Sequence, residues 1–417
     1  MKGAHALARN LEPVLTELLR EEPIIAVRGA RTSGKTTALK RLTAVRSGTV
    51  LDLDLADVLR SAVDDPDHFV TGLPEPVFID EFQRAPALLH ALKAQTDRDR
   101  RPGRYILSGS VSADALPRDA ETLTGRAHSV VMWPFSQGEL RGVRETFIDR
   151  LFQEPKSLVM RRGGKAPPTR DDYFGMVCAG GFPLALQRET ERSRQRWFAD
   201  YADTVARRDI PNLTSIRNPD ALAKLVNIIA GRTATLLNVA DVARDVGLRH
   251  ETTSGYLSWL ERVYVIVRLK AWSTNLSKKQ SKHPKVHMTD TGLGAHLIGL
   301  GPAEASRSNS AGQLLETFVV TEVMKQLSWA ETSATAWHWR DREMDEVDLL
   351  LESRNGRIVA IEIKAGTNVT ENDTRGIRRL QEILGDRVIH GVVIYTGSVS
   401  YSIGRNISVV PVSALWN

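Results

Sequence analysis

The chain has 417 residues, 42% of them hydrophobic and 25% charged, with a formal net charge of +6 and a pI near 9.4. That length predicts two or three domains, each large enough for its own core, and the composition excludes a disordered chain. No apolar run approaches the ~20 residues that span a bilayer; Met1-Lys2-Gly3-Ala4-His5 lacks the apolar core of a secretory signal, and a lone Cys178 excludes an internal disulfide or a CxxC site.

These exclusions make the cytoplasm the expected compartment, with no membrane partner. The basic balance favours a polyanionic one.

The first predicted strand is Ile24-Ile25-Ala26-Val27, short, apolar and β-branched. It leads into Gly29-Ala30-Arg31-Thr32-Ser33-Gly34-Lys35-Thr36, a complete GxxxxGK[ST], and Thr37 to Leu42 then follow at helical spacing. A glycine-rich turn between a strand and a helix points backbone N–H groups and the helix N-terminus at a polyphosphate. Residues Gly29 through Thr37 are therefore the candidate ATP cradle. Lys35 is expected to reach the β- and γ-phosphates, and the Thr36 hydroxyl to ligate Mg²⁺. Further strands are expected at Thr49 to Leu53, Val77 to Ile79, Tyr105 to Leu107 and Val130 to Met132. Strands alternating with helical stretches predict an α/β fold with a parallel sheet. The third of them ends in Asp80-Glu81, which resembles a Walker B strand: Asp80 would hold the Mg²⁺ shell and Glu81 would orient or deprotonate the attacking water.

From Glu154 to Asp172 the chain is rich in Pro, Gly and Arg, the composition of a surface linker. Helices are expected from Tyr173 until Ile210-Pro211 breaks the run. Residues 236–270 read as a winged helix-turn-helix. Asn238 caps a helix through Val246, Gly247 makes the turn, Arg249 to Val263 forms a second helix, and a β-ribbon starts at Tyr264. Arg249, His250, Thr252, Thr253 and Tyr256 would face outward, where base or phosphate contacts are made. Between Arg268 and Lys285 lie Arg268, Lys270, Lys278, Lys279, Lys282 and Lys285 with no acidic residue. That strip suits phosphate contact, the alternative being a solvated loop.

The last section places Glu316 in a helix-like stretch from Leu314 to Leu327, ahead of Glu346-Val347-Asp348 and Ile361-Glu362-Ile363-Lys364. The order E…VD…ExK resembles the PD-(D/E)xK nuclease-like fold. Asp348 and Glu362 would bind a divalent metal (Mg²⁺, or Mn²⁺), Lys364 would polarise water or phosphate, and Glu316 would assist. Geometry makes a demand here. Asp348 faces Glu362 only if Arg354-Asn355-Gly356 is a three-residue hairpin loop, because a two-residue turn would put the acids on opposite faces.

Taken together these segments resemble a bacterial and archaeal family of AAA+ ATPases that carry a winged helix and a nuclease-like C-terminal domain of unknown function. The resemblance spans nearly the whole chain through Asp80-Glu81-Phe82-Gln83, Leu107-Ser108-Gly109-Ser110, Leu123-Thr124-Gly125-Arg126, Pro134-Phe135-Ser136, Gly180-Gly181-Phe182-Pro183 and Arg208-Asp209-Ile210. It implies that Ser108 or Ser110 senses the γ-phosphate, and that Arg126, with Arg208 a weaker candidate, completes an ATP site in the same subunit or a neighbour's. Ser108 stands where the family favours Thr, which keeps the hydroxyl. The expected architecture is an AAA+ ATPase core over residues 1–155, a linker and helical lid over 156–212, a winged helix over 213–290 and a restriction-endonuclease-like α/β domain over 291–417. The expected function is ATP binding and hydrolysis with DNA as partner, metal-dependent cleavage at the nuclease-like site, and assembly into a homo-oligomer. A regulatory or scaffold ATPase with an inert C-terminal domain is the rival. A small-molecule kinase is disfavoured because no acceptor-binding segment or lid motif stands out.

Overall fold

The structure is a computed structural model that describes residues 7–112, 123, 125–159, 167–214, 216, 218–274, 283–341 and 343–417. Strands β1 (Ile24–Arg28), β2 (Thr49–Asp52), β3 (Val77–Asp80), β4 (Tyr105–Gly109) and β5 (Ala127–Val131) form one sheet in the order β2-β3-β4-β1-β5. Every pairing in it is parallel. Successive strand side chains point to opposite faces, so Ile25 and Val27 join Leu15 and Leu39 in one core while Ile24 and Ala26 join Leu88 and Leu92 in another. Helices cover both faces, which is why β1 reads as an unbroken apolar run. The segments after β1, β3 and β4 emerge at one edge, where ligands of open parallel sheets bind.

This sheet belongs to a compact unit made of Met1–Phe135 and Trp259–Val265, and the rest of the chain makes a second. The first stretch of that unit ends at Phe135, ahead of the domain boundary expected at residue 155. The physical cause is the helix Phe147–Gln153, whose Phe147, Ile148, Leu151 and Phe152 are buried in a core shared with Leu314, Phe318 and Leu349 of the second unit.

In the second unit the expected break at Ile210-Pro211 takes another form. The helix Glu191–Thr204 runs into a π-helical turn over Val205–Asp209, and Ile210–Leu213 continues as helix. A wide turn is one way a helix accommodates a proline, which lacks an N–H to donate. Helix Pro219–Gly231, β6 (Thr235–Leu236), helix Val239–Val246, helix His250–Arg262 (of the second unit as far as Ser258), β7 (Ile266–Leu269) and β8 (Lys285–Met288) follow, with the three short strands antiparallel in the order β6-β8-β7. Asn238 caps the helix Val239–Val246 by accepting from Ala240 N and Asp241 N, and Gly247 ends it at φ +83°.

The C-terminal sheet contains β9 (Ala334–Arg340), β10 (Glu346–Ser353), β11 (Ile358–Lys364), β12 (Val388–Tyr395), β13 (Tyr401–Ser402) and β14 (Ile407–Pro411), ordered β13-β14-β12-β11-β10-β9. Pairings β9/β10, β10/β11 and β13/β14 are antiparallel, and β11/β12 and β12/β14 are parallel. Helix Ala311–Gln326 lays Leu314, Leu315, Phe318 and Val319 on one face with Leu349, Val359 and Ile361. Helix Arg375–Leu384 puts Ile377 and Leu380 on the other with Leu350, Ala360 and Val393.

Candidate functional site

The phosphate-binding loop is shaped by two glycines that no other residue replaces without strain. A Cβ on Gly29 would lie 2.1 Å from Met132 O, and Gly34 sits at φ +98° as it opens the helix Lys35–Val45. Lys35 is buried, and its Nζ donates to Gly29 O at 2.9 Å and Ala30 O at 3.0 Å. Burial pushes the Lys35 ammonium below its ordinary value, with Glu81 and Asp80 opposing. A polyphosphate is the anion that would offset that cost. Thr32 Oγ1 and Ser33 Oγ are buried without hydrogen-bond partners beside it, polar atoms that a ligand can satisfy.

On the same edge, Asp80 closes β3 and accepts from the Ser108 hydroxyl of β4. Glu81 follows in the left-handed region at φ +53°. A non-glycine residue held there is a strained turn that turns its carboxylate off the strand. That carboxylate accepts from the Gln83 amide and from Ser110 Oγ at 3.3 Å. Gln83 is a site residue that motif spacing alone did not mark; only its place two residues after Glu81 hinted at it. The oxygen set of Thr36 and Asp80 suits a hard divalent cation such as Mg²⁺.

Arg126 takes no part in this pocket within one chain. Ala127 pairs with Ile24 at the start of β1, so Arg126 lies at the sheet edge opposite the phosphate loop, where Nε meets Asp97 Oδ1 at 2.6 Å and Nη2 meets Oδ2 at 3.1 Å. In this arrangement Arg126 is paired with Asp97 and stands away from the phosphate loop of its own chain. Mixing tests action on a neighbour: Arg126→Ala combined with Glu81→Gln should regain ATP turnover if each supplies the group the other lacks. No regain in demonstrated mixed assemblies would end the arginine's candidacy.

The proposed DNA face is also corrected in part. Thr253 is buried, with its hydroxyl donating to Arg249 O at 3.0 Å, and Tyr256 is buried too. The helical period turns them inward, whereas Arg249 and His250 are exposed. Lys278, Lys279 and Lys282 lie outside the described residues.

In the second unit, Gly356 at φ +77° closes a three-residue loop, with Ser353 N donating to Arg357 O at 2.9 Å. Leu349 pairs with Ile361; carried one residue further, that register would set Asp348 opposite Glu362 as the metal reading needs, at the place where β10 shifts register against β9 between Val347 and Leu350. Asp348 Oδ2 accepts from Ile363 N at 3.0 Å, and Lys364 Nζ donates to Glu362 Oε1 at 2.8 Å. The residue that sequence reasoning misplaced is Lys285. In sequence it ends the basic strip expected at the surface, yet it is buried, with Nζ 2.8 Å from Glu316 Oε1 and 3.0 Å from Asp348 Oδ1. Its neighbours in sequence gave no sign of this, because only the fold brings β8 to the acids.

The electrostatics follow from burial. Burial raises the Glu316 carboxyl well above its ordinary value, and Asp348 adds to the shift. Burial and Asp348 push Glu362 up to about 8. Burial would lower the Lys285 ammonium, but Asp348 and then Glu316 outweigh it and hold it above its ordinary value. Glu362 Oε2 is buried with no hydrogen-bond partner, an orphaned oxygen beside a second carboxylate that fits a hard divalent cation. A second acidic group, Asp341, Glu343 and Asp345, is already paired: Arg375 Nε lies 2.6 Å from Asp345 and Arg379 Nε 3.3 Å from Asp341.

Comparison with known proteins divides the chain similarly. Residues 21–141 match the AAA domain family, residues 170–304 a domain of unknown function (DUF8612) and residues 311–415 another (DUF4143). Uncharacterized proteins of Mycobacterium bovis and Mycobacterium tuberculosis are each 27% identical over 408 residues, 97% of this chain and 83% of theirs. Among solved structures, a Walker-type ATPase of Pyrococcus abyssi is 16% identical with a TM-score of 0.43, over 69% of this chain and 94% of that one. The RuvB Holliday junction branch migration motor of Thermotoga maritima is 16% identical with a TM-score of 0.28, over 63% and 90%. No helix among the described residues is long and apolar enough to cross a membrane. With a complete phosphate loop and a carboxylate pair on the adjoining strand edge, residues 21–141 match the AAA domain family, and two domains of unknown function follow.

Proposed function

We propose that the protein hydrolyses ATP with Mg²⁺, binds DNA through the segment 213–290, and carries at its C-terminal domain a metal-dependent nuclease-like site. The observation that supports the last part is Asp348 accepting from Ile363 N, which sets it beside the strand that carries Glu362 and, two residues on, Lys364. Three carboxyl groups, one of them with an orphaned oxygen, are a donor set for Mg²⁺ or Mn²⁺. Such an ion supplies an activated water and stabilises charge on a phosphate, and Lys364 would orient that phosphate or water. The DNA reading is supported by the order helix, strand, helix, turn, helix and ribbon over 219–288, which is that of a winged helix, and by exposed Arg249 and His250 at the start of its second helix.

Stimulation of ATP turnover by single-stranded, duplex or branched DNA tests the coupling. Replacing Lys278, Lys279 and Lys282 by Ala should weaken binding with little sequence bias. Each lost phosphate contact should flatten the slope of log affinity against log salt by ~0.9 on duplex DNA. An unchanged slope would return that strip to a solvated loop. The rival reading, an inert C-terminal domain in a regulatory ATPase, is favoured by one observation: Lys285 already neutralises two of the acids.

A further inference from the structure

Three carboxyl groups, Glu316, Asp348 and Glu362, meet in one buried cluster, and two ammonium groups answer them from different elements. Lys364 comes from β11 itself and is a third exposed, lying at 2.8 Å from Glu362 and 3.8 Å from Asp373 at the rim. Lys285 comes from β8, outside the sheet, and is only 5% exposed. Its single Nζ bridges a helix carboxylate and a strand carboxylate, Glu316 and Asp348. β8 is the middle strand of its small sheet, with Lys285 paired to Leu236 on one side and Leu269 on the other, so its backbone is fixed from both sides. A compact cation held between two oxygen ligands has the position and the sign of charge that a divalent ion would need at the same carboxylates. Two cations cannot share it, because like charges within ~4 Å in a poorly hydrated site repel by several kcal/mol.

We propose that Lys285 is a built-in occupant of the cation position between Glu316 and Asp348, so that a divalent ion gains Glu316 as a ligand only when the ammonium leaves. With Lys285 seated, the carboxylates open to an ion are Glu362, through its unpartnered Oε2, and Asp348. The ammonium also holds the acids together when no metal is present. The inference rests on the proposed metal site and deepens it.

Mn²⁺ titration of the full-length protein, read by calorimetry and by electron paramagnetic resonance at pH 7.5, tests it without any cleavage assay. Lys285→Met should bind Mn²⁺ at least about 10-fold more tightly than the wild type, since a competing positive charge is gone. Glu316→Gln should change the wild-type affinity less than about 3-fold, yet in the Lys285→Met background it should remove most of the gain. In metal-free buffer Lys285→Met should melt lower than the wild type, and saturating Mn²⁺ should restore more of its melting temperature than it adds to the wild type. Equal Mn²⁺ affinity in the wild type and Lys285→Met would overturn the proposal while leaving the metal site standing. So would a large loss from Glu316→Gln with Lys285 present. Absence of Mn²⁺ binding in both chains would overturn the metal site and the proposal together. Should Lys285→Met fail to fold without metal, wild type against Glu316→Gln decides alone: unchanged affinity supports the proposal, and a loss beyond about 10-fold sinks it.

Discussion

Glu81→Gln should bind ATP nearly as well as the wild type and turn it over about 10²-fold more slowly or worse, the scale of a lost general base. The isosteric amide keeps the left-handed turn at Glu81 and can still meet Gln83 and Ser110, so the pocket's shape survives. What is lost is the negative charge that would orient or deprotonate water. Lys35→Ala should act one step earlier and abolish ATP binding. The buried ammonium, now held by Gly29 O and Ala30 O, is the positive charge that would meet the β- and γ-phosphates. Nucleotide binding by fluorescence and phosphate release measured on the same preparations separate the two effects. Unchanged turnover in Glu81→Gln would place the base elsewhere, with Asp80 the next group to examine.

Lys364→Ala and Asp348→Asn should each lower Mn²⁺-dependent DNA cleavage by about 10²-fold or more, the range seen when one group that stabilises developing charge is removed. The two fail for different reasons. Lys364 is partly exposed and packs on Glu362 alone among the three acids, so its removal costs little structure and reads as a change in rate. Asn at position 348 can still accept from Ile363 N through its carbonyl oxygen, but it no longer balances the Lys285 ammonium or offers a charged ligand to an ion. Gel assays with single-stranded, duplex and branched DNA, with thermal melting of each variant as a control for folding, measure both. A wild-type chain that cuts none of these substrates in Mg²⁺ or Mn²⁺ would leave the C-terminal domain as a binding module, the rival reading.

Local chemistry made the ATP domain legible in the sequence. Gly29, Gly34, Lys35 and Thr36 are adjacent in the chain, and their roles follow from a strand–turn–helix that residues 24–42 specify without help. The hairpin loop was legible for a similar reason: Gly356 supplies the positive φ that an odd-length loop requires, and Ser353 pairs with Arg357 across it. Tertiary structure decided the rest. Helical periodicity around His250–Arg262 showed which residues repeat on a face, yet burial of Thr253 and Tyr256 depended on what packs there. Arg126 follows a glycine in a motif-like string, and only the parallel register Ile24 to Ala127 reveals that it stands at the far edge of the sheet. Phe147, Ile148, Leu151 and Phe152 are apolar wherever they lie; long-range packing with Leu314 and Phe318 assigned them to the second core. Lys285 shows the limit most sharply. In sequence it ends a basic strip, and in space it lies between Glu316 and Asp348, 31 and 63 residues away along the chain. Its meaning changes from solvated charge to buried counter-ion because Coulomb attraction in a desolvated site depends on distance through space, which chain order does not record.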